Sequence, residues 1–149
     1  QPKTLIIGVD SSGTKILTDS NEKLLQGEVL SFLKSYIALT YRYTSETYES
    51  QLSRSGDFLT DELWNEKQAS FKAIGEKLKS RDLIQNAAIQ GITQIDANKY
   101  TAQLQMSIQE KLTTRSVKLK VTVETIKAPR SPENPYPIRI SKLTEEVES

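Results

Sequence analysis

The chain contains neither histidine nor cysteine. Those two absences remove a cysteine nucleophile, a histidine general base, the Ser-His-Asp triad and every Cys/His zinc site. Disulfides are excluded as well. At 149 residues the chain is one domain's worth, and a domain of this size buries ~68–70% of the surface exposed by its unfolded chain. It therefore needs no staple, so the missing cysteines do not identify a redox compartment. Long apolar runs are lacking too: nothing approaches the ~18–20 residues that cross a bilayer, and the first residues lack a signal-peptide pattern. An excess of one charge is also absent, with 20 Lys and Arg against 19 Asp and Glu. That balance argues against nucleic-acid binding by bulk charge and against an acidic disordered tail. The chain begins Gln1-Pro2-Lys3 without a Met, so it reads as a piece of a longer protein.

What is present is strongly patterned. Residues 4–9 and Ile16-Leu17 flank the turn signal Asp10-Ser11-Ser12-Gly13, which predicts an extended arm or hairpin over residues 1–18. Residues 19–149 read as a single α+β domain. Asp19 and Glu22 have capping-box spacing, and Leu25, Val29, Phe32, Tyr36 and Thr40, widened by Leu33 and Ile37, mark one face of a helix ending near Arg42. Thr44 is expected to cap a second helix reaching Ser53, with Tyr48 and Leu52 as its apolar pair. After a break at residues 53–57, Thr60 caps a third helix whose first turn carries Asp61 and Glu62. Leu59 and Trp64 have the spacing of a hydrophobic staple, and Trp64, Phe71, Ile74 and Leu78 form the inward face.

The period then changes to two. Residues 82–95 predict a strand with a bulge near Gln90-Gly91, and Asp96-Ala97-Asn98-Lys99 predicts a turn. Tyr100, Ala102, Leu104, Met106, Ile108 and Leu112 line one face of the next strand. A reversal at residues 113–115 leads to a third strand with Val117, Leu119, Val121 and Val123 inward. The proline-rich stretch 128–137 cannot lie inside a sheet. Ile138, Ile140 and Leu143 allow a last strand before a polar end at residues 144–148. Three helices followed by an antiparallel meander of about four strands is an α+β layout, with one sheet curling around the long helix.

The chemical motifs do not hold together. Ser31-Phe32-Leu33-Lys34 matches Ser-x-x-Lys, but its Ser-Asp-Asn and Lys-Thr-Gly companions are missing and it falls inside an amphipathic helix. The glycines form no phosphate-binding loop. Asp61, Glu62 and Glu66 read as helix N-terminal charges on a solvated face, because catalytic carboxylates need burial to raise their pKa. Asp96 reads as a turn former. Tyr36, Tyr41, Tyr43 and Tyr48 read as core, with a ligand pocket between helix and sheet as the competing reading. Lys111, Arg115, Lys118, Lys120, Lys127 and Arg130 have no interleaved aromatics. They suit a solvated sheet face or the rim for an acidic protein partner.

Taken in series, the long helix followed by Tyr41-Arg42-Tyr43-Thr44, the helix start Asp61-Glu62-Leu63-Trp64, and Arg130-Ser131-Pro132-Glu133-Asn134-Pro135-Tyr136 are distinctive. Together they resemble the periplasmic domain of the TraE family of conjugation proteins, relatives of the eighth VirB protein of type IV secretion systems. The Asn134-Pro135 step is similar to that family's Asn-Pro-x-Gly motif, although Pro137 stands where the motif has glycine. Proline is locked near φ −65° and cannot make the same turn as a positive-φ glycine.

The resemblance implies a cone like that of nuclear transport factor two, with three helices on a curved antiparallel sheet. It implies a non-enzymatic assembly component, without cofactor or metal, anchored in the inner membrane by an upstream single-pass helix. Such a component serves DNA transfer through self-association and contacts with other secretion subunits, with no direct nucleic-acid contact. By position, the partner interface implied is Asn134, Pro135, Tyr136, Ile138 and Ile140, together with Val29 and Leu33 of the first helix. The alternative is a small-molecule-binding or enzymatic cone-fold domain using Asp and Tyr, which requires an open interior cavity.

Overall fold

The computed structural model describes residues 20–148, with side chains from Gly27 onward, and an antiparallel pair of short strands, β1 (Ile6–Val9) and β2 (Lys15–Thr18). Helix α1 (Ser20–Tyr41) comes next. Its second half buries Val29, Phe32, Leu33, Tyr36, Ile37 and Thr40, the stripe expected from the three-to-four spacing. Asp19 and the side chains of Glu22 and Leu25 lie outside the described residues. The helix ends where Gln51 reaches over: its side-chain amide donates to the carbonyls of Leu39 and Arg42. Two orphan C-terminal acceptors are thereby satisfied by a residue of the next helix.

Thr44 does not cap that helix. It belongs to a two-residue strand, β3 (Tyr43–Thr44), and the cap position of α2 (Tyr48–Ser55) is Thr47. The two threonines hold each other instead, Thr44 N–H donating to Thr47 Oγ1 at 2.9 Å and Thr47 N–H to Thr44 Oγ1 at 3.2 Å. The expected break after Ser53 is also displaced, because α2 runs into a 3₁₀ turn, Gly56–Phe58. Gly56 is required there: a Cβ would lie 2.9 Å from the Trp64 ring.

Thr60 caps α3 (Asp61–Leu78) as its spacing predicts, its hydroxyl accepting from Leu63 N–H at 3.2 Å. The inward face starts one residue earlier than expected. Leu63, Phe71, Gly75 and Leu78 are buried, whereas Ile74 is 40% exposed. Trp64 lies half-buried against Gly56 and Phe71, outside the helix–sheet interior.

Four long strands follow: β4 (Leu83–Asp96), β5 (Lys99–Glu110), β6 (Thr113–Lys127) and β7 (Ile138–Glu148). With β3 they form one antiparallel sheet in the order β3-β4-β5-β6-β7, a curled half-barrel with the helices in its concavity. Its core rows are Leu104 with Leu119 and Ala102 with Val121, facing Phe32, Tyr36 and Phe58. Burying each of the leucine, valine and phenylalanine side chains among them contributes ~1.5–3 kcal/mol. The opposite face carries polar rows, among them Thr93, Thr101, Thr122 and Thr144 in register across four strands.

The predicted bulge appears as a register shift between Ile89 and Gly91. Two other expectations are corrected. Leu112 is not in the strand pattern: the β5–β6 reversal is Lys111-Leu112, with Lys111 at φ 55° and Leu112 fully exposed at the tip. The last strand also does not stop at Leu143 but continues to Glu148, because Glu146 and Glu148 lie opposite Lys120 and Lys118. Opposite charges across a ladder favour pairing.

Candidate protein-interaction site

The proline-rich loop between β6 and β7 is fixed by one buried side chain. Asn134 is 1% exposed. Its side-chain amide donates to the carbonyls of Ile138 at 3.0 Å and Asp57 at 3.3 Å, and its carbonyl oxygen accepts from Tyr136 N–H at 3.1 Å. Its own N–H donates to Ser131 Oγ at 3.0 Å, and Ser131 N–H returns a bond to Asn134 O at 2.9 Å. The loop is thereby closed on itself and tied to the 3₁₀ turn. A buried amide with these partners satisfies nearly its whole hydrogen-bonding capacity.

The outer side of the loop is tied to α1. Arg130 donates to both carboxylate oxygens of Glu28, at 2.7 and 3.0 Å, and to the carbonyl of Pro135 at 2.7 Å. The hydrogen bonds from Arg130 hold the Glu28 carboxyl below its usual range. Tyr136 meets Ser35 through its hydroxyl at 3.2 Å, and its ring stands edge-on to Phe32 at 5.8 Å. Between α1, α2 and the loop lies an open groove of about 750 Å³, walled by Leu39, Arg54, Asp57, Phe58, Pro135 and Tyr136.

The seven residues expected at a partner interface therefore fall into two sets. Val29, Leu33, Ile138, Ile140 and Asn134 are buried in the chain's own interior. Pro135 is exposed and Tyr136 half-buried, and both line the groove. Sequence reading missed Glu28, Arg130 and Ser35 as members of this constellation. Nothing local could reveal them, since Glu28 and Arg130 are 102 positions apart.

The tyrosine-rich region is core, as its helical spacing suggests. Tyr36, Tyr41 and Tyr48 are buried. Burial pushes the hydroxyl pKa of each upward, and Glu145 beside Tyr41 adds to the effect. Tyr41 donates to Glu145 at the far end of β7, and Gln85 donates to the Tyr41 carbonyl at 2.9 Å. Phe32, Tyr36 and Phe58 fill the interior that a cone-fold enzyme would keep open. Asp61, Glu62 and Glu66 are exposed, and so are Ser31 and Lys34. Asp96 accepts from Ala97 N–H at 2.8 Å, the turn role expected of it. Among the described residues there is no cluster of three potential metal ligands and no helix long and apolar enough to cross a membrane. The groove has the chemistry of a binding surface: an aromatic and proline wall with solvated charges at its edge.

No protein-family model and no curated protein sequence matches the chain. Solved structures do. Agrobacterium tumefaciens VirB8 superposes with a TM-score of 0.74 at 12% identity, covering 85% of this chain and 94% of that one. The soluble domain of TrwG of the type IV secretion machinery from Bartonella grahamii gives 0.66 at 14% identity, covering 81% and 94%. A TraE protein gives 0.67 at 12% identity, covering 89% and 99%. At such identities the likeness is one of fold, and it is the fold that the Asn134-Pro135 series suggested from sequence.

Proposed function

We propose that this chain is the periplasmic part of a VirB8-like subunit of a type IV secretion or conjugation machine. It acts as an assembly component rather than an enzyme. The observation that supports this most is the breadth of the structural likeness: the shared fold extends over most of the chain and nearly all of VirB8. In this reading an upstream segment anchors the protein in the inner membrane, and the groove beside Tyr136 receives another secretion subunit. Leu39, Pro135 and Tyr136 supply apolar area, while Arg54 and Asp57 at the rim set orientation, the usual division between interface core and rim. Filling of the cone interior by Phe32 and Tyr36 weighs against the enzymatic alternative.

The test is genetic and biochemical. In-frame deletion of the gene should abolish substrate transfer by the cell's secretion machine. Complementation with Arg54→Glu should restore the protein but leave transfer at least ~10-fold down, about what losing 1.4 kcal/mol of partner affinity implies. Wild-type transfer in the deletion strain overturns the proposal. Wild-type transfer with both Arg54→Glu and Tyr136→Ala overturns the groove assignment.

A further inference from the structure

The free edge of β4 offers a second surface, unrelated to the groove. Along this edge β3 covers only Ile84 and Gln85. From Asn86 to Ile95 no strand of the five-stranded sheet pairs with it. That run, Asn-Ala-Ala-Ile-Gln-Gly-Ile-Thr-Gln-Ile, carries no charge and no proline. Natural sheets normally blunt an open edge with lysines, prolines or a covering element, because unpaired main-chain groups recruit another strand. Ile89 is 37% exposed and Ile95 53%.

The bulge determines which strand would fit. Ile89 is registered with Leu104 and Ile92 with Ala102, both buried, so Ile89 and Ile92 lie on the core face. Ala88 and Thr93, opposite Gln105 and Thr101, lie on the outer face. Because Gln90 is an extra residue in the ladder, core-facing positions are odd before it and even after it. An antiparallel copy of the same strand, related by a two-fold axis between Gln90 and Gly91, therefore keeps the faces matched from Ala87 to Gln94, between the two register shifts. Ile89 meets Ile92 of the second copy on the core face, Ala87 meets Gln94, and Ala88 meets Thr93 on the outer face. Asn86 meets Ile95, so the two runs coincide end to end with no charge opposed to another. At the axis itself Gly91 has open space where a side chain would stand, which permits close backbone approach. The opposite edge of the sheet could not do this, since self-pairing would bring Glu145, Glu146 and Glu148 of β7 together.

We propose that β4 pairs with β4 of a second copy of this chain, joining two five-stranded sheets across an isologous two-fold contact. A ladder of this length with a small isoleucine cluster belongs to the weak class of interfaces, under about 1,200 Å².

Sedimentation velocity on the 149-residue chain should show monomer passing to dimer between ~10 μM and ~1 mM. Ala88→Lys combined with Thr93→Lys sets like charges opposite each other twice, and should leave a folded monomer over that range. Glu146→Lys on β7 and Tyr136→Ala in the groove should leave the dimer intact. The chain has no cysteine of its own, so register can be read by cross-linking. An oxidised mixture of Ala88→Cys and Thr93→Cys chains should yield about 10-fold more disulfide dimer than either alone, because only the opposed pair falls within the ~4.4–6.8 Å Cα reach of a disulfide. A chain that stays monomeric throughout overturns the proposal. So does association that survives the paired lysines or is lost with Tyr136→Ala, or a mixture that cross-links no better than its components.

Discussion

The two edges of the sheet differ in how they meet solvent. β7 is covered over its first half: Ile138 and Ile140 are buried, Leu59 bridges to Ile140, and Thr60 N–H donates to the Ile140 carbonyl at 2.9 Å. Where that cover ends, the strand becomes charged, with Lys142, Glu145, Glu146 and Glu148. Among the described residues, β4 has neither protection from Asn86 to Ile95. It carries isoleucines as β7 does, and relies on two register shifts, near Gln90 and Ile95, to bend the edge. One edge is thus built into the domain and the other is left available, although both pair with a single long neighbour. An edge is sealed by covering or by charge, and in this sheet the two devices are used in succession along one strand and hardly at all along the other.

The largest expected effect comes from removing the same side chain on each edge. Ile140→Ala empties a fully buried site and should cost ~2–5 kcal/mol. Ile89→Ala removes a partly exposed one and should cost under ~1 kcal/mol. Urea unfolding measured below the concentration at which chains associate decides the matter. Equal losses at the two positions would show that β4 is as built-in as β7.

An intermediate effect is expected at high pH, on the β7 side, where Tyr41 donates to Glu145. Burial is the main cause that raises the folded pKa values of Tyr36, Tyr41 and Tyr43. The unfolded tyrosines ionise near ~10. A folded pKa above the unfolded one makes stability complete below pH ~10 and lost as pH climbs from there toward the folded values. Absorbance at 295 nm should therefore show these phenols titrating only as the chain unfolds, with the urea midpoint falling over the same range. Reversible ionisation of all six tyrosines near pH 10 in the native chain would contradict the burial.

Much of this contrast could be read in the sequence, and the part that could not has physical causes. The α1 stripe, the Thr60 cap, the Gln90 bulge and the inward valines of β6 are local patterns, fixed by periods of 3.6 and 2 and by cap chemistry, so they survive folding unchanged. Thr44, Trp64, Ile74 and Leu112 were misplaced because each depends on a partner distant in sequence or on a turn. Thr44 pairs with β4, Trp64 is turned outward onto Gly56, Ile74 is exposed because Gly75 takes the place against the Tyr48 ring, and Leu112 is expelled by Lys111 at positive φ. At the groove, Asn134, Pro135 and Tyr136 were legible through a resemblance. That Asn134 is a lock and Tyr136 a wall follows only from the 3₁₀ turn and α1 arriving beside them. The uncharged run of β4 was plainly visible, but its freedom on one side is a matter of topology.

The smallest effect sharpens the comparison at the entrance to β7, where the loop is clasped to α1. Glu28→Gln removes the carboxylate that accepts twice from Arg130, while the bond from Arg130 to the Pro135 carbonyl can persist. Both partners reach solvent, and exposed ion pairs contribute little to stability because water and salt screen them. The global urea midpoint should hardly move. Since the folded pKa of Glu28 is lowered, what stability the pair does contribute is present above the unfolded carboxylate pKa and lost as pH falls through the folded value. The wild-type chain should therefore lose slightly more stability on acidification than the Glu28→Gln variant. The clasp acts locally, so its clearest trace should be faster amide hydrogen exchange at Ser131, Asn134 and Tyr136 in the variant. Exchange along Asn86–Ile95 should not change, because that edge has no tie to the clasp. Acceleration at both would mean that the sheet transmits the loop's position to β4, and that the two edges are not independent.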